Sequence, residues 1–302
     1  MAVIDVSAEV RTGVEGGGAV VALETSVLAQ GLPHPQNLQA AEAMARAIRE
    51  RGAVPAWIAV VAGRVKVGLS DEEVTSLATD GRAVKVARRD LPAVVASHAD
   101  GATTVSATLW AAAAAGIEVA ATGGIGGVHP RSGDVSADLV ELSRTPGLLV
   151  CSGPKSIVDP AATLERLEEL GVGVLGYRCD RLPFFLVPET DLELEHRVDE
   201  PTGAAAAARA RAELGISSTL LLCNPIPPEA AMDASEVANA VAECESAAER
   251  EGIRGKDVTP NLLSCLAERT AGASLRANFT LLEANAALAA EVAVALARSV
   301  PR

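Results

Sequence analysis

The sequence predicts an α/β fold, a three-layer α/β/α sandwich with a central mixed β-sheet, and three observations support this prediction. Short apolar runs alternate with segments of helical period over most of the 302 residues. Two early apolar runs, 56–62 and 65–69, are separated only by Gly63 and Arg64, which is typical of an antiparallel hairpin. No linker, repeat or low-complexity segment divides the chain, so residues 1–302 are predicted to form one domain.

The predicted strands are short apolar runs bounded by glycine, proline or polar residues. In chain order they lie at residues 19–23, 56–62, 65–69, 83–87, 117–121, 148–151, 172–177 and 219–223. Because segments of helical period connect most of these runs, we expect most neighbouring strands to be parallel. The early hairpin then makes the sheet mixed rather than purely parallel.

The predicted helices are segments in which apolar residues recur every three or four positions. They lie at residues 37–51, 70–77, 103–115, 134–142, 157–170 and 201–214, and over most of the chain after residue 229. The segment Ser70-Asp-Glu-Glu73 has the pattern of a capping box, and Gly52 and Gly171 follow the ends of two of these helices. Helices of this number and length can cover both faces of the sheet.

The charge of the chain limits its partners. A formal net charge of -13 opposes non-specific attraction to nucleic acid or to an anionic membrane surface. No charge-free stretch reaches the roughly 18 apolar residues that a membrane span requires, and the first residues are acidic where a signal peptide needs basic ones. We therefore expect a cytoplasmic protein with a small-molecule ligand and no nucleic-acid or membrane partner.

The cysteines and lysines differ in what they predict. The cysteines show neither Cys-x-x-Cys spacing nor accompanying histidines, which favours packing residues and no zinc site. The five cysteines are Cys151, Cys179, Cys223, Cys244 and Cys265. Only four lysines occur, at positions 66, 85, 155 and 256, and the other basic residues are arginine. Because lysine can act as a nucleophilic amine and arginine cannot, each lysine is a candidate for chemistry.

The segment Ala-Thr-Gly-Gly-Ile-Gly-Gly-Val-His, from Ala121 to His129, is the most informative feature of the chain. It follows a predicted strand, and open α/β sheets bind ligands at the carboxyl ends of their strands. Its glycines allow close approach of the backbone to a ligand. The loop lacks the last glycine of Gly-x-Gly-x-x-Gly, and the chain contains no Gly-Lys-Ser/Thr. Nicotinamide cofactors and nucleoside triphosphates are therefore disfavoured.

Charged residues follow two other predicted strands. Glu24 ends the first strand and is either a strand-end residue that turns to solvent or a buried acid that donates a proton near neutrality. Lys85 lies near the end of the later predicted strand at 83–87, and Arg88 and Arg89 follow that strand. This basic group suits an anionic ligand, and a solvated basic edge is an equal alternative.

Two carboxylates follow the glycine loop. Asp134 and Asp138 are four residues apart and are predicted to lie on one face of the helix that they begin, with Ser136 between them. The N–H groups of a helix N-terminus favour an anion, and carboxylates with water suit Mg²⁺ or Mn²⁺. The alternative is that Asp134 only caps the helix.

Lys155 follows the predicted strand at 148–151 and a Ser-Gly-Pro turn, and Asp159 lies four residues later. One interpretation is an ion pair between the two side chains on a helix surface. The other is a desolvated amine at the carboxyl end of a strand, which would form a Schiff base with a sugar aldehyde.

The order and spacing of these motifs resemble the pseudouridine-5′-phosphate glycosidase family, also described as the indigoidine synthase A-like family. The resemblance covers nearly the whole chain. The matching segments lie at residues 23–25, 104–108, 121–129, 135–138, 153–157, 176–177, 224–227, 255–260 and 274–278.

The resemblance implies a homotrimer that reversibly cleaves pseudouridine 5′-phosphate into uracil and ribose 5-phosphate with a divalent metal, usually Mn²⁺. It also implies that Glu24 is the general acid, that Lys155 is the nucleophile and that Asp134 is the metal ligand. The residues that it implies for substrate binding are Lys85, Val105, His129, Ser136, Ala137, Asp138 and Asn278. Because the bond to be broken joins C1′ to a carbon, an amine that stabilises C1′ as an iminium is the expected electron sink.

Two positions differ from the family pattern. Gln30 stands where the family usually has histidine, and Pro154 stands where alanine or valine is commoner. Two other functions remain open, an enzyme that forms a C-nucleotide for a pigment or antibiotic pathway and a sugar-phosphate-binding protein without catalysis. The presence of both Glu24 and Lys155 favours an enzyme.

Overall fold

The computed structural model describes residues 4–130, 133–255 and 258–298, and the strands within these ranges form one sheet. The strands are β1 Ile4–Val6, β2 Val20–Glu24, β3 Val54–Val61, β4 Arg64–Val67, β5 Val84–Val86, β6 Gly101–Thr103, β7 Val119–Ala121, β8 Gly147–Cys151, β9 Val174–Tyr177, β10 Arg197–Val198 and β11 Thr219–Cys223. Their order is β1-β4-β3-β2-β7-β8-β11-β9-β10, with β6 paired to β3 and β5 paired to β6.

The sheet is mixed, as the sequence predicts. The central pairs β2–β3, β2–β7, β7–β8 and β8–β11 are parallel, whereas β3 pairs antiparallel with β4 and with β6. The turn of the β3–β4 hairpin contains Ala62 and Gly63, both with positive φ, as predicted from the Gly63-Arg64 break. All the central parallel strands therefore end at the same edge of the sheet.

Helices cover both faces of this sheet. Those in the described residues are α1 Ala8–Glu15, α2 Gln36–Glu50, α3 Asp71–Thr79, α4 Leu91–Ala96, α5 Val105–Ala114, α6 Ala137–Leu142, α7 Pro160–Glu169, α8 Pro201–Glu213, α9 Ala234–Glu251, α10 Val258–Arg269 and α11 Ala273–Ala297. The predicted capping box at the start of α3 is present, because Ser70 accepts from the Glu73 N–H and the Glu73 side chain accepts from the Ser70 N–H.

Two hydrophobic cores lie on the two faces, and the alternation of side chains along β2 feeds both. Val21 and Leu23 pack with residues of α2, α8, α9 and α11. Val20 and Ala22 pack with residues of α1, α4, α5, α6 and α7. Alternate residues of a strand point to opposite faces, so a strand that is apolar throughout must be covered on both sides. The three-layer α/β/α prediction is confirmed.

Helix α11 is long and apolar enough to cross a membrane by length and composition. Half of its apolar window is buried inside the protein, and the helix packs against α2, α8 and the central strands. A core helix of this kind passes the same test as a membrane span, because both are apolar over most of their surface.

The predicted starts of α6 and α7 are wrong. Helix α6 begins at Ala137 rather than Asp134, because Val135 pairs with Val128 in an antiparallel bridge and Ser136 is the N-cap. Asp134 and Asp138 therefore do not begin one helix. Helix α7 begins at Pro160, and the carboxylate of Asp159 caps it by accepting from the Ala162 N–H at 2.9 Å.

Several elements were not predicted from the sequence. They are β1, α1, α4, β6 and β10. Strand β6 has three residues and β10 has two, so neither contains enough residues to show an alternating pattern. Residues 103–104 were predicted as the start of a helix, but Thr103 ends β6 and Thr104 is the N-cap of α5.

The interpretation of all five cysteines as packing residues is wrong for two of them. Cys244 of α9 and Cys265 of α10 form a disulfide. Helices α9 and α10 pack against each other and bring together two cysteines 21 residues apart, a spacing that a search for Cys-x-x-Cys does not detect. Cys151 and Cys223 are buried free thiols. The third free thiol, Cys179, is half-buried, and burial raises its pKa to about 11.

Candidate active site

The carboxyl ends of β2, β7 and β8 bring three distant segments of the chain together. In the parallel register Leu23 is opposite Ala121, and Ala121 is opposite Val150. Glu24 at the end of β2 therefore lies beside the start of the glycine loop, and the turn that leads to Lys155 lies on the other side of that loop. This is the edge at which the sequence places the site.

Glu24 is buried, with 5% of its surface exposed, and two hydroxyl groups hold its carboxylate. The Ser26 hydroxyl donates to Oε2 at 2.7 Å, and the Thr122 hydroxyl donates to Oε1. Of the two interpretations made from the sequence, the strand-end residue turned to solvent is therefore wrong; Glu24 is buried, and its role as a proton donor stays a prediction. Hydrogen bonds to both oxygens fix the direction in which the carboxyl group faces.

Asp138 holds the glycine loop in place. Its Oδ2 accepts from the Gly126 N–H and its Oδ1 accepts from the Ser106 N–H of α5, each at 3.1 Å. The loop also packs against the N-cap of α6, since a Cβ on Gly126 would lie 2.3 Å from the Ser136 hydroxyl oxygen. Glycine is required here because no other residue allows this close approach.

The backbone of Lys155 is fixed by both neighbouring loops. Its N–H donates to the carbonyl of Ile125 at 3.0 Å, and Pro154 forms an isolated bridge with Ile125. Gly153 has a φ of +78°, and a Cβ there would lie 1.9 Å from the carbonyl oxygen of Pro183. Among the described residues, no side chain forms a hydrogen bond or ion pair with Lys155 Nζ, so the alternative of an ion pair with Asp159 is not observed.

Two adjoining cavities open at this edge. The inner compartment contains about 470 Å³ of empty space and the outer compartment about 800 Å³, and both volumes include space open to solvent. Both are lined by Glu24, Ser26, Lys85, Lys155 and Thr259. The two residues predicted to carry the chemistry therefore lie at the boundary and face both compartments.

The two compartments differ in character. The inner one has apolar walls from Val27, Phe185, Leu263 and Leu282, with the amides of Gln30 and Asn278 among them. The outer one is lined mainly by polar and charged residues. These include Arg89, Asp90, Thr104, His129, Asp134, Ser136 and Asp138, together with Gly126 and Ala137.

His129 links several of these groups. Burial lowers its pKa below the usual value, the neighbouring Asp134 carboxylate opposes this shift, and the positive charges of Lys85 and Lys155 reinforce it. A neutral imidazole is therefore favoured at neutral pH. Lys85, Lys155 and Asp134 line the same outer compartment as His129.

The structure brings together all but one of the residues that the sequence assigns to the site. Val105 starts α5, one residue after Thr104, and its side chain is 2% exposed and packs in the core below the outer compartment. A contact between Val105 and a ligand would therefore involve its main chain. A role for Val105 in substrate binding stays a prediction.

Other residues of the site were not assigned a role from the sequence. Thr122 and Ser26 hold Glu24, and Thr259 and Pro260 of α10 form part of the wall. All four lie in or beside motifs already recognised, but a sequence motif does not show which hydroxyl contacts which carboxylate. Among the described residues, no group of three or more His, Cys, Asp or Glu side chains could hold a metal ion.

Comparison with known families identifies the chain. The model of the indigoidine synthase A like protein family matches residues 9–295. This chain belongs to the indigoidine synthase A like family. Glu24, Lys155 and both compartments lie within the matched range.

Relatives in this indigoidine synthase A like family cover almost the whole chain. The pseudouridine-5′-phosphate glycosidase of Symbiobacterium thermophilum is 50% identical over 295 residues, which is 95% of this chain and 96% of that protein. The pseudouridine-5′-phosphate glycosidase of Saccharopolyspora erythraea is 48% identical and covers 97% of both chains.

Solved structures similar to this family member have the same fold. The prealnumycin C-glycosynthase AlnA in complex with ribulose 5-phosphate superposes with a TM-score of 0.91 at 37% identity, covering 99% of this chain and 98% of that one. An indigoidine synthase A-like protein from Thermotoga maritima gives a TM-score of 0.90 at 36% identity, covering 98% and 97%.

Proposed function

We propose that this protein reversibly cleaves the C–C glycosidic bond of pseudouridine 5′-phosphate to give uracil and ribose 5-phosphate. The observation that supports this proposal most is the position of Glu24 and Lys155, which line both compartments of one cavity. A buried acid and an amine on either side of one reacting bond are the groups that this reaction needs. Two relatives that cover almost the whole chain carry the name of this activity.

The two compartments fit the two halves of the substrate. The inner compartment, with apolar walls and two amides, suits a flat heterocycle with N–H and C=O groups. The outer compartment, with Lys85, Arg89 and the N-terminus of α6, suits the phosphate and hydroxyl groups of a ribose phosphate. C1′ would then lie at the boundary, between Glu24 and Lys155.

The first half of the reaction opens the sugar ring and forms the adduct. Glu24 gives its proton to O4′ as the C1′–O4′ bond breaks, which leaves a 4′-hydroxyl group and an electron-deficient C1′ conjugated with the uracil ring. The lone pair of the Lys155 amine then forms an N–C1′ bond, and the amine proton returns to the Glu24 carboxylate. Ser26 and Thr122 keep that carboxyl group aimed at the boundary throughout.

The second half releases the base. Glu24 donates its proton to C5 of uracil, the electrons of the C1′–C5 bond return to the ring, and the nitrogen lone pair makes C1′ an iminium. Water then adds to the iminium carbon and the C–N bond breaks, giving the aldehyde of ribose 5-phosphate and the free amine. Overall one water is consumed, and Glu24 and Lys155 regain their starting states.

A divalent cation such as Mn²⁺ fits this site only in a limited way. Asp134 lines the outer compartment, and the carboxylate oxygens of Asp138 in the same compartment accept main-chain N–H groups. The described residues therefore suit a largely hydrated ion held by Asp134. When bound, such an ion would supply positive charge beside the phosphate.

The same site could operate in the direction of bond formation. AlnA, which resembles this chain at 37% identity, is described as a C-glycosynthase. Every step above is reversible, so the concentrations of uracil, ribose 5-phosphate and C-nucleotide decide the net direction. Formation of another C-nucleotide for a pigment or antibiotic pathway is the second candidate function.

The assembly and location of the protein are also proposals. The family resemblance supports a homotrimer, and we propose a cytoplasmic protein, since the net charge of -13 opposes association with an anionic membrane surface. Light scattering on the purified protein should give a mass three times that of the 30.7 kDa chain.

The activity is tested with pseudouridine 5′-phosphate and Mn²⁺. We expect release of free uracil and ribose 5-phosphate from the wild type, and no uracil from uridine 5′-phosphate. Borohydride reduction in the presence of ribose 5-phosphate should attach the sugar to Lys155, located by peptide mapping. Lys155→Arg should form no adduct, because the guanidinium group is not a nucleophile. Lys66→Arg is the matched control, since Lys66 lies on β4 and pairs with Glu73. An adduct in the Lys155 variant would refute the assignment.

A further inference from the structure

Only one of the two polar groups in the Gln30 side-chain amide forms a hydrogen bond among the described residues. It lies in the single π-helical turn Val27–Gly31 that follows Glu24, and it lines the inner compartment. Its Nε2 donates to the carbonyl of Ala83 at 2.9 Å. Its Oε1 is buried and, among the described residues, accepts no hydrogen bond.

The orientation of this amide follows from its partner. The carbonyl of Ala83 can only accept a hydrogen bond, so the NH₂ group of Gln30 must face it and Oε1 must face away. A buried acceptor without a donor destabilises the folded protein, and such groups are rare in native structures. The arrangement therefore calls for a donor that the protein does not itself supply.

The inner compartment limits what that donor can be. Gln30 lines the inner compartment, so an occupant packed directly on this wall can supply the donor that the surrounding protein does not. The neighbouring wall residues Val27, Phe185 and Leu282 are apolar and suit the faces of a ring. Glu24, the carboxyl group among the described lining residues of this compartment, is already held by Ser26 and Thr122, so a charged ammonium group would lose its hydration there without a carboxylate partner of its own. A neutral ring N–H meets both conditions.

We propose that Gln30 is a specificity-determining residue whose Oε1 accepts a hydrogen bond from a ring N–H of the nucleobase. This inference rests on the proposed function, which places the nucleobase in the inner compartment. The hydrogen bond from Gln30 Nε2 to the carbonyl of Ala83 fixes the position of the acceptor Oε1. Ala83 lies two residues before Lys85 in the chain. Gln30 then recognises the base, while the ribose phosphate is bound by other residues.

The test uses the synthesis direction, in which uracil and ribose 5-phosphate bind as separate substrates. Gln30→Met keeps the length of the side chain and removes the acceptor. We expect the KM for uracil to rise about tenfold, the size expected for one lost hydrogen bond, while the KM for ribose 5-phosphate stays within twofold. Gln30→His restores a ring nitrogen that can accept and should recover part of the affinity for uracil.

Methylated bases identify the donor. For the wild type, either 1-methyluracil or 3-methyluracil should bind much more weakly than uracil, because one methyl group replaces the N–H that Gln30 accepts. In Gln30→Met, the methylated base that binds weakly to the wild type should bind almost as well as uracil does. The other methylated base should lose the same affinity relative to uracil as it does in the wild type. Equal penalties in wild type and variant for both bases would overturn the proposal.

Asn37 provides the matched control for a purely structural role. Its side chain donates to the carbonyls of Leu28 and Ala78 and so anchors the same π-helical turn, but it does not line either compartment. Asn37→Asp should lower the stability without a selective change in the KM for uracil. If Gln30→Met instead raises both KM values together, Gln30 only ties the turn to β5 and the proposal is wrong. A wild type that forms no C-nucleotide and cleaves none would refute the proposed function itself.

Discussion

The two ends of strands β2 and β7 differ sharply in what surrounds them. At the carboxyl ends lie Glu24, Lys85 and Lys155 around two compartments. At the amino ends lies a depression of about 510 Å³ lined by small and apolar residues, with Glu118 as its one charged side chain among the lining residues described. The same strands therefore support a reactive cavity at one end and an inert one at the other. Strand direction decides which end collects the loops that carry chemistry.

Glycines serve different purposes at the two ends. Gly17 at the amino end has a φ of +65° and open space where a Cβ would lie, so it only allows a turn. Gly153 at the carboxyl end also has a positive φ, but a Cβ there would collide with the backbone of Pro183. The turn at Gly17 requires only a backbone conformation with positive φ. At Gly153 the site also requires the backbone to contact the backbone of Pro183 directly.

The largest expected effect comes from removing the acid at the reactive end. Glu24→Gln keeps hydrogen-bonding partners for Ser26 and Thr122 but cannot donate the proton, so cleavage of pseudouridine 5′-phosphate should fall about 10²- to 10⁴-fold. Glu118→Gln at the opposite end should leave kcat and KM unchanged. Steady-state kinetics on both variants measure the contrast, and equal activities would remove the distinction between the two ends.

Substitution of Gly17 and Gly153 compares the two ends of the sheet in their contribution to stability. Gly17→Ala should lower the free energy of unfolding by about 1 kcal/mol, because only backbone strain is added. Gly153→Ala adds a collision with a carbonyl oxygen and should cost about 1–3 kcal/mol more. It should also reduce activity, because Lys155 lies two residues away. Urea unfolding with activity assays tests both, and similar losses at the two sites would contradict this account.

The wall made by α10 belongs to the reactive end, and the disulfide holds it. Replacing both Cys244 and Cys265 with serine should lower the free energy of unfolding by about 2–4 kcal/mol. It should also raise KM, since Thr259 and Leu263 of α10 line the inner compartment. Cys179→Ser removes a thiol outside the disulfide and is the control. Unchanged stability and KM in the double variant would show that packing alone holds the wall.

The smallest expected effect is the pH dependence due to His129. Its pKa is lowered in the folded protein, so the unfolded chain binds a proton more readily. The free energy of unfolding should therefore decrease as the pH falls from about 6.5 through the lowered folded value. In His129→Gln this part of the pH dependence should be absent. Chemical unfolding at a series of pH values from 5 to 8 measures the free energy of unfolding of both proteins. If this free energy changes with pH in the same way in wild type and His129→Gln, His129 does not contribute to the pH dependence.

Much of the reactive end could be predicted because it follows from short-range rules. Strand direction, the glycine loop, Glu24 and Lys155 could all be located from apolar runs and the residues that follow them. The start of α6 could not, because the bridge between Val128 and Val135 competes with the helix and depends on a tertiary contact.

Other features depend on packing between distant segments. The disulfide requires α9 and α10 to lie side by side, and the half-used amide of Gln30 depends on Ala83, 53 residues away. Strand β6 is too short for its pattern to be recognised, and only its pairing with β3 and β5 defines it. Contacts of this kind leave no periodic signal in a single sequence.

The covalent link between Cys244 and Cys265 turns the intervening chain, including Thr259 and Pro260, into a closed ring. A protease that cuts once inside this ring cannot release either fragment. The nicked enzyme would keep its full mass on a non-reducing gel and separate into two pieces only after a reductant is added.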